Sequence, residues 1–225
     1  MRPRLAGVSS DDDALAALAA LGDPVRRSLY RHVAGSPGDV TRDAAADAVG
    51  VSRAVAAAQL DKLVDAGLLE VSFRRLSGRT GPGAGRPSKL YRRAAGEHAV
   101  SVPPRSYDTV SRLLAEVVER AGLDAELQAA ARADGEAADA AGDPVEALRE
   151  RGYEPFRDCG KVRLSNCPFH ALAERFPALV CGMNLASIQG LLAGMPGAEG
   201  WSAEMDPLPE GCCVALEGPE ESTEV

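Results

Sequence analysis

The chain has 225 residues, enough for one large domain or two small ones. It is 45% hydrophobic and 26% charged, which excludes a chain disordered throughout, and only 4% aromatic, which predicts a core of Ala, Leu and Val. We expect no segment apolar enough to cross a membrane, and no apolar segment follows the N-terminal MRPRLAG. The sequence therefore predicts a cytoplasmic protein without a signal peptide.

The net charge of −8 arises mainly from two blocks of opposite sign, and the first 23 residues add −2. Residues 24–93 carry 13 Lys and Arg against 6 Asp and Glu, a net charge of +7, whereas residues 94–225 carry 10 against 23, a net charge of −13. A basic block attracts the phosphates of nucleic acid and an acidic block is repelled by them. The charges therefore predict two domains, of which the first meets nucleic acid.

The first hundred residues carry clear helix signals. Asp23-Pro24 is a helix start, because Asp caps free N–H groups and Pro suits the first helical position. Thr41 and Ser52 are placed to begin two further helices. The predicted elements are helices over 11–21, from 24, over 41–48 and over 53–66, then strands over 68–73 and 86–93 around a Gly- and Arg-rich loop.

This order is typical of a winged helix-turn-helix, here over residues 11–95, with a linker over 96–106. The second helix of such a unit enters the major groove of DNA, where Arg and Gln read guanine and adenine and small residues allow close approach. Cations on the wing bind phosphate or enter a minor groove. The predicted DNA-binding residues are Ser52, Arg53, Ala56, Gln59 and Lys62 on the helix, and Arg74, Arg75, Arg79, Arg86 and Lys89 on the wing.

Three segments carry a family resemblance: LGDPVRRSLYRHV, VTRDAAADAVGVSRAVAAAQLDKLVDAGLLEV and GRPSKLYRRA. They resemble bacterial winged-helix regulators of the ArsR/DeoR type over about a third of the chain. The resemblance implies binding to a double-stranded DNA operator. A solvated basic face or a protein-binding winged helix are the alternatives.

Residues 107–217 predict an α+β domain with a small antiparallel sheet, followed by an acidic tail over 218–225. An apolar stripe predicts an amphipathic helix that serves as a domain core or as a homodimer seam; its members are Val110, Leu113, Leu114, Val117, Val118 and Ala121. The other predicted elements are helices over 124–141 and from 144, 168 and 177, and strands over 154–158, 161–165, 198–205 and 212–216. The predicted fold class is thus α+β in both domains.

All five cysteines lie in this second domain, in the order Cys159-x7-Cys167-x2-His170-x10-Cys181-x30-Cys212-Cys213. Without an export signal they argue against a disulfide framework. Thiolates suit an iron–sulfur cluster or zinc, but CxxC pairs are absent, so buried inert thiols are an equal alternative. Because side chains alternate along a strand, we expect only one of Cys212 and Cys213 to face a shared site.

The segment LSNCPFHALAERFPALVCGMNLASIQGLL, followed by CCVAL, resembles the C-terminal half of SufR-type regulators. In that family cysteines hold an iron–sulfur cluster that controls promoter binding. The resemblance implies Cys167, Cys181 and one of Cys212 and Cys213 as ligands. Cys159, His170 or an outside group would supply the fourth ligand.

These observations together predict a homodimeric transcription factor, a repressor, whose operator binding responds to an iron–sulfur cluster or metal. The alternative signals are zinc, thiol oxidation or a small organic ligand. A cysteine-dependent enzyme with an accessory winged helix is a remote alternative. Its nucleophile and base would be Cys167 and His170, but no third group that would orient them is evident, so we expect no enzyme.

Overall fold

A computed structural model describes residues 11–75, 87–208 and 211–219 of the chain. The chain divides into two compact units, the first ending at Arg105 and the second beginning at Ser106. Helices and antiparallel strands occur in both units. This composition confirms the predicted α+β fold class.

The first unit follows the predicted order of elements, with one addition, the two-residue strand β1. Such a short strand has no periodicity for sequence analysis to detect. The elements are α1 (Asp11–Ala20), α2 (Pro24–Ala34), β1 (Val40–Thr41), α3 (Arg42–Val49), α4 (Arg53–Asp65), β2 (Leu69–Arg74) and β3 (Ser88–Arg93).

Three helices of this unit begin at capping side chains. Asp23 accepts hydrogen bonds from the N–H groups of Val25 and Arg26, at 2.9 and 3.0 Å. Thr41 accepts one from Ala44 at 3.1 Å, and Ser52 accepts one from Val55 at 3.3 Å. These bonds satisfy N–H groups that a helix cannot pair internally, and they set where α2, α3 and α4 begin.

A tight turn joins α3 to α4. Gly50 lies in the left-handed region at φ 71°, which ends α3, and the N–H of Val51 bonds back to the carbonyl of Ala46 at 3.1 Å. The antiparallel sheet has the order β1-β3-β2, with Tyr91 of β3 opposite both Val40 and Val71. The helices pack on this sheet through a core that includes Leu29, Leu60, Leu63 and Tyr91.

The second unit contains five helices and four strands among its described residues. Its elements are α5 (Tyr107–Ala121), α6 (Asp124–Glu136), α7 (Pro144–Glu150), β4 (Pro155–Asp158), β5 (Lys161–Leu164), α8 (His170–Ala173), α9 (Pro177–Gly194), β6 (Ser202–Met205) and β7 (Val214–Glu217). The sheet is antiparallel in the order β4-β5-β7-β6. Helix α6 is shorter than predicted, α8 begins two residues later than predicted, and β7 begins only after Cys213.

The backbones of helices α6 and α9 are in direct contact. A Cβ atom built on Gly190 would lie 2.1 Å from the carbonyl oxygen of Arg132, and one on Gly135 would lie 2.3 Å from that of Ser187. No side chain fits at either point, so these glycines allow the two helices to touch. The contact fixes α9 against α6.

Helix α5 turns only part of its apolar stripe inward. Ala115 and Val118 pack against Phe176, Leu179 and Val180. The other large members of the stripe are 49–61% exposed, namely Val110, Leu113, Leu114 and Val117. One edge of the stripe thus packs in the core, and the other edge is exposed and available for contact with a partner.

Helix α9 differs from the expectation that no segment could cross a membrane. Among the described residues, Pro177–Gly194 alone is long and apolar enough to do so, judged by length and composition, and 44% of it is buried. A core helix of a soluble protein passes the same test. Here α9 packs against α6 and the sheet, and its apolar side chains, such as Ile188 and Leu191, belong to a core.

Candidate nucleic-acid interface and cysteine cluster

The outward face of α4 differs from the predicted one. Ala56, predicted to approach DNA, is fully buried, because it lies on the same face as Leu60 and Leu63. Ala56 is therefore a core residue and the prediction for it is wrong. The exposed positions in the first half of the helix, which the sequence analysis missed, are Ala54, Val55 and Ala58.

The other predicted residues of α4 are accessible to different degrees. Ser52 and Lys62 are exposed, and Ser52 also caps the helix. Gln59 is half-buried, and its side-chain oxygen accepts a hydrogen bond from Arg26 at 3.2 Å. This bond occupies one of the two acceptor positions of the amide oxygen that a bidentate contact with adenine would use.

Three of the predicted cations are held by carboxylates of the same unit. Arg53 Nε lies 2.7 Å from Asp43, and Arg74 lies 3.9 Å from Asp39. Lys89 hydrogen-bonds to Asp61 and lies 5.2 Å from the centre of the Tyr91 ring. Arg75 is exposed at the end of β2, whereas Arg79 and Arg86 lie outside the described residues.

The contact between Lys89 and Asp61 links β3 to α4. Burial acts to raise the pKa of Asp61, but hydrogen bonds from Lys89 and Tyr91 outweigh it and hold the pKa below its ordinary value. The same hydrogen bond is the main cause of the raised pKa of Lys89. Both side chains are therefore charged near neutral pH, and α4 is tied to the wing strand by an ion pair.

A second group of residues forms in the second unit, where Cys167, Cys181, Cys212 and Cys213 come together; we call these four the cysteine cluster. The thiols of Cys167 and Cys213 are the electrostatic neighbours of the Cys212 sulfur, and Cys181 is a neighbour of Cys213. Cys212 and Cys167 are buried, and the other two are half-buried. Three separate segments thus bring four cysteines into the same region of the second unit.

The thiols of the cluster affect one another's protonation. Hydrogen bonds from Cys167 and Cys213, with further ones from the N–H of Val214 and the amide of Asn184, lower the pKa of Cys212. Donation to Cys212, followed by burial, raises the pKa of Cys167 and of Cys213. Proximity thus acts in opposite directions, lowering the pKa of Cys212 and raising the pKa of Cys167 and of Cys213.

Both Cys212 and Cys213 reach the cluster, contrary to the expectation that only one would. The alternation of side chains applies within a strand, but β7 starts at Val214 and both cysteines precede it. The N–H of Cys212 is bonded to the carbonyl of Leu164 at 2.9 Å, which places this pair beside the end of β5.

Cys159 and His170, the proposed fourth ligands, lie elsewhere. Cys159 is exposed in the turn between β4 and β5, at φ 48°, and its thiol is hydrogen-bonded to Asp158, which raises its pKa. Strand β5 separates this turn from the cluster by about 13 Å, the length of four extended residues. His170 is exposed and lies 3.4 Å from Glu174.

These positions also separate the nucleophile and base of the enzyme alternative. The sulfur of Cys167 faces Cys212 and accepts the N–H of Phe169, whereas the ring of His170 faces Glu174. The pair needed for covalent catalysis is therefore engaged with other partners.

A buried polar pair next to the cluster was not predicted. Asn184 of α9 is fully buried, the one such polar side chain among the described residues. Its amide nitrogen donates to the sulfur of Cys212 at 3.2 Å, and its oxygen accepts the hydroxyl of Tyr153. Both polar ends of the amide are thus satisfied, and Cys212 is held in place. An isolated Asn in an apolar helix was the available signal.

Thiol sulfur is the donor that zinc and iron–sulfur clusters use, so the donor set of the cysteine cluster fits either group. The contacts run in a chain from Cys167 through Cys212 and Cys213 to Cys181. Within the part of the chain that the structure describes, no three Cys, His, Asp or Glu side chains are arranged around one point as metal ligands are. The present arrangement is that of four neighbouring thiols rather than a preformed metal site.

Comparison with protein families finds a match within the first unit. Residues 21–72 match the family described as "Helix-turn-helix domain". A solved structure shares 25% identity and a TM-score of 0.29, covering 52% of this chain and 91% of the other: the homodimeric winged helix-turn-helix DNA-binding domain of a possible ArsR-family transcriptional regulator from Mycobacterium bovis. A TM-score of this size supports no argument about this chain. No curated protein matches the chain. The family match thus places a helix-turn-helix domain over α2, α3 and α4.

Proposed function

We propose that the chain is a DNA-binding transcription regulator, a repressor, that binds a double-stranded operator as a homodimer. The observation that carries the proposal is the helix-turn-helix match over residues 21–72, on a unit where α4 follows α3 through a tight turn and a two-stranded wing follows α4. The net charge of +7 over residues 24–93 supports binding to phosphate. Such a regulator would act in the cytoplasm.

Mobility shifts of a mixed-sequence duplex at several salt concentrations test DNA binding. Lys62→Ala removes an exposed cation from α4 and should reduce the slope of log affinity against log salt by about 0.9. Arg149→Ala, which removes an exposed cation of the second unit, is the matched control and should leave the slope unchanged. A wild-type protein that binds no DNA at low salt would contradict the proposal.

The exposed stripe of α5 supports the homodimer. Apolar side chains at Val110, Leu113, Leu114 and Val117 line one helix edge and are 49–61% exposed. A two-fold pair of such helices would bury them, and a two-fold protein matches a palindromic operator. Leu114→Glu should yield monomers in analytical ultracentrifugation, whereas Thr109→Glu, the same charge at an exposed position off the stripe, should not.

We further propose that the cysteine cluster binds an iron–sulfur cluster that controls operator binding. Cys167, Cys181, Cys212 and Cys213 would hold the group, which supplies a redox-sensitive and oxygen-sensitive centre when bound. The burial of Cys212 and Cys167 shields the site from water, and Asn184 holds the Cys212 sulfur. Zinc, or thiol oxidation without metal, are the competing signals for the same four sulfurs.

Iron, acid-labile sulfide and zinc per chain, measured on protein purified without oxygen, distinguish these signals. Iron with matching sulfide supports the proposal, zinc alone indicates a zinc site, and free thiols without metal indicate oxidation or an organic ligand. The double variant Cys167→Ser, Cys181→Ser should lose the metal and the response of DNA binding to it. Cys159→Ser, which changes a cysteine outside the cluster, should keep both.

A further inference from the structure

The face that carries the predicted DNA-binding cations also carries their counter-charges. A cleft of about 480 Å³ between α3, the start of α4 and the wing strands is lined by Asp43, Arg53 and Lys89 among others. Asp43 holds Arg53 at 2.7 Å, with both side chains more than half exposed. Asp61 on the outward side of α4 holds Lys89. These pairs link neighbouring elements within the cleft and along its rim.

A third pair follows the same pattern on the wing. Arg74, at the end of β2, lies 3.9 Å from Asp39, which precedes β1. Asp39 also accepts a hydrogen bond from Ser72 at 3.4 Å, so its carboxylate is fixed beside the strand. Three cations of the interface thus each face one carboxylate of the same unit, supplied by three different segments.

We propose that Asp39, Asp43 and Asp61 set the affinity of this interface for DNA by competing with phosphate for Arg74, Arg53 and Lys89. This inference rests on the proposed DNA binding. A phosphate that approaches any of these cations meets a carboxylate that already offsets part of the positive charge and that repels the phosphate. This repulsion lowers the affinity for every DNA sequence, whereas base contacts offset the loss of affinity only at the operator. The three carboxylates therefore restrain sequence-independent binding, which is the term that dilutes a regulator over a genome.

The test measures binding of the full chain to a mixed-sequence duplex of about 30 base pairs, at several salt concentrations. Asp43→Asn and Asp61→Asn keep the shape of the side chain and remove its charge. Each should tighten binding about fivefold at low salt, the factor expected from an exposed ion pair, and each should steepen the salt slope. Asp39→Asn is a third, independent variant on the wing.

Asp65→Asn is the matched control, since Asp65 is exposed on α4 one turn beyond Asp61 and loses the same charge. It should tighten binding less than Asp61→Asn. In a double-mutant cycle, Arg53→Ala should abolish the gain of Asp43→Asn, because the gain acts through Arg53. Thermal unfolding of each variant verifies that the fold is intact.

Tighter binding in the three variants, exceeding that of Asp65→Asn, supports the inference. Equal gains in Asp61→Asn and Asp65→Asn would mean general repulsion and would overturn it, as would unchanged or weaker binding in the variants. In both cases the wild-type protein still binds DNA and the proposed function stands. A wild-type protein and variants that all fail to bind DNA would remove the proposed function and the inference together.

Discussion

In the first unit, α2, α3 and α4 each begin at a side chain that caps them from two or three residues away. In the second unit α7 is capped by Asp143, but α5, α6 and α9 have no side-chain cap, and α9 is held by contacts with distant segments. The site of the first unit lies on consecutive elements, whereas the cysteine cluster joins residues 46 positions apart, from Cys167 to Cys213. Local signals therefore set more of the first unit, and long-range packing sets the site of the second.

The largest expected effect comes from filling the contact between α6 and α9. In Gly190→Ala the new methyl group would meet the backbone of Arg132 at 2.1 Å, which no side-chain movement relieves. We expect a loss of about 3 kcal/mol or more in the free energy of unfolding of the second unit. Urea unfolding followed by the fluorescence of Trp201, the one tryptophan of the chain, reports on this unit.

Gly182→Ala is the control for that variant, on the same helix. Its methyl group would meet the end of the Gln128 side chain, which can move aside, and Ala favours a helix over Gly. Unchanged or higher stability is expected. Equal destabilisation by both substitutions would show that backbone contact is not what holds α9.

The second-largest effect on stability is expected at the buried hydrogen-bonded pair next to the cysteine cluster. Asn184→Leu leaves the Tyr153 hydroxyl without its partner and removes the donor to Cys212, at an expected cost of about 1–3 kcal/mol. Adding Tyr153→Phe removes the stranded hydroxyl, so the double variant should be more stable than the sum of the two single changes predicts. Additive losses, measured by the same Trp201 fluorescence, would contradict the coupling.

A cap of the first unit should have a smaller and strictly local effect. Thr41→Ala removes the hydrogen bond to the N–H of Ala44 and should cost about 1 kcal/mol, seen as faster amide hydrogen exchange in α3. Thr41→Ser keeps the oxygen and should restore protection. A change in Trp201 fluorescence in either variant would show that the units do not respond separately.

The smallest effect depends on pH. Hydrogen bonds from Arg163 and then Lys161 hold the pKa of Asp206 below its ordinary value of 3.8. Because the folded pKa is the lower one, the ionised carboxylate stabilises the second unit above pH 3.8, and this contribution is lost as the pH falls through the folded pKa. Asp206→Asn should therefore lower the urea midpoint at pH 7 and approach the wild type in acid. A difference that persists at about pH 2 would refute this assignment.

Much of the fold could be predicted because its signals are local. The helix boundaries of the first unit are given by local residues: capping side chains at Asp23, Thr41 and Ser52, and a glycine after each helix. The predicted order of elements in this unit was therefore correct except for β1. The side-chain directions were harder, since a small error in helix phase put Ala56 on the DNA face when it belongs to the core.

The cysteine cluster could be predicted only in part. Clustering of cysteines in one domain indicated a shared site, but spacing could not show that Cys159 lies at the far end of β5 or that His170 faces Glu174. We expected only one of Cys212 and Cys213 to reach the site, but both do, because β7 starts after Cys213 and side-chain alternation does not apply to the pair. Asn184 stands out in the sequence only as a polar residue in an apolar helix, and its contact with Cys212 depends on tertiary packing.

The glycine contact also has a mechanical consequence. Cys181 and Asn184 lie on α9, and a few turns later the backbone of α9 rests on that of α6 with no side chain between them. Without flexible groups to absorb a shift, a displacement of α9 at the cysteines is carried to α6 as a movement of the whole helix. Gly122 and Leu123 alone separate α6 from α5, whose apolar edge is exposed. The second unit thus connects its cysteine cluster to the exposed apolar edge of α5 through a rigid backbone contact.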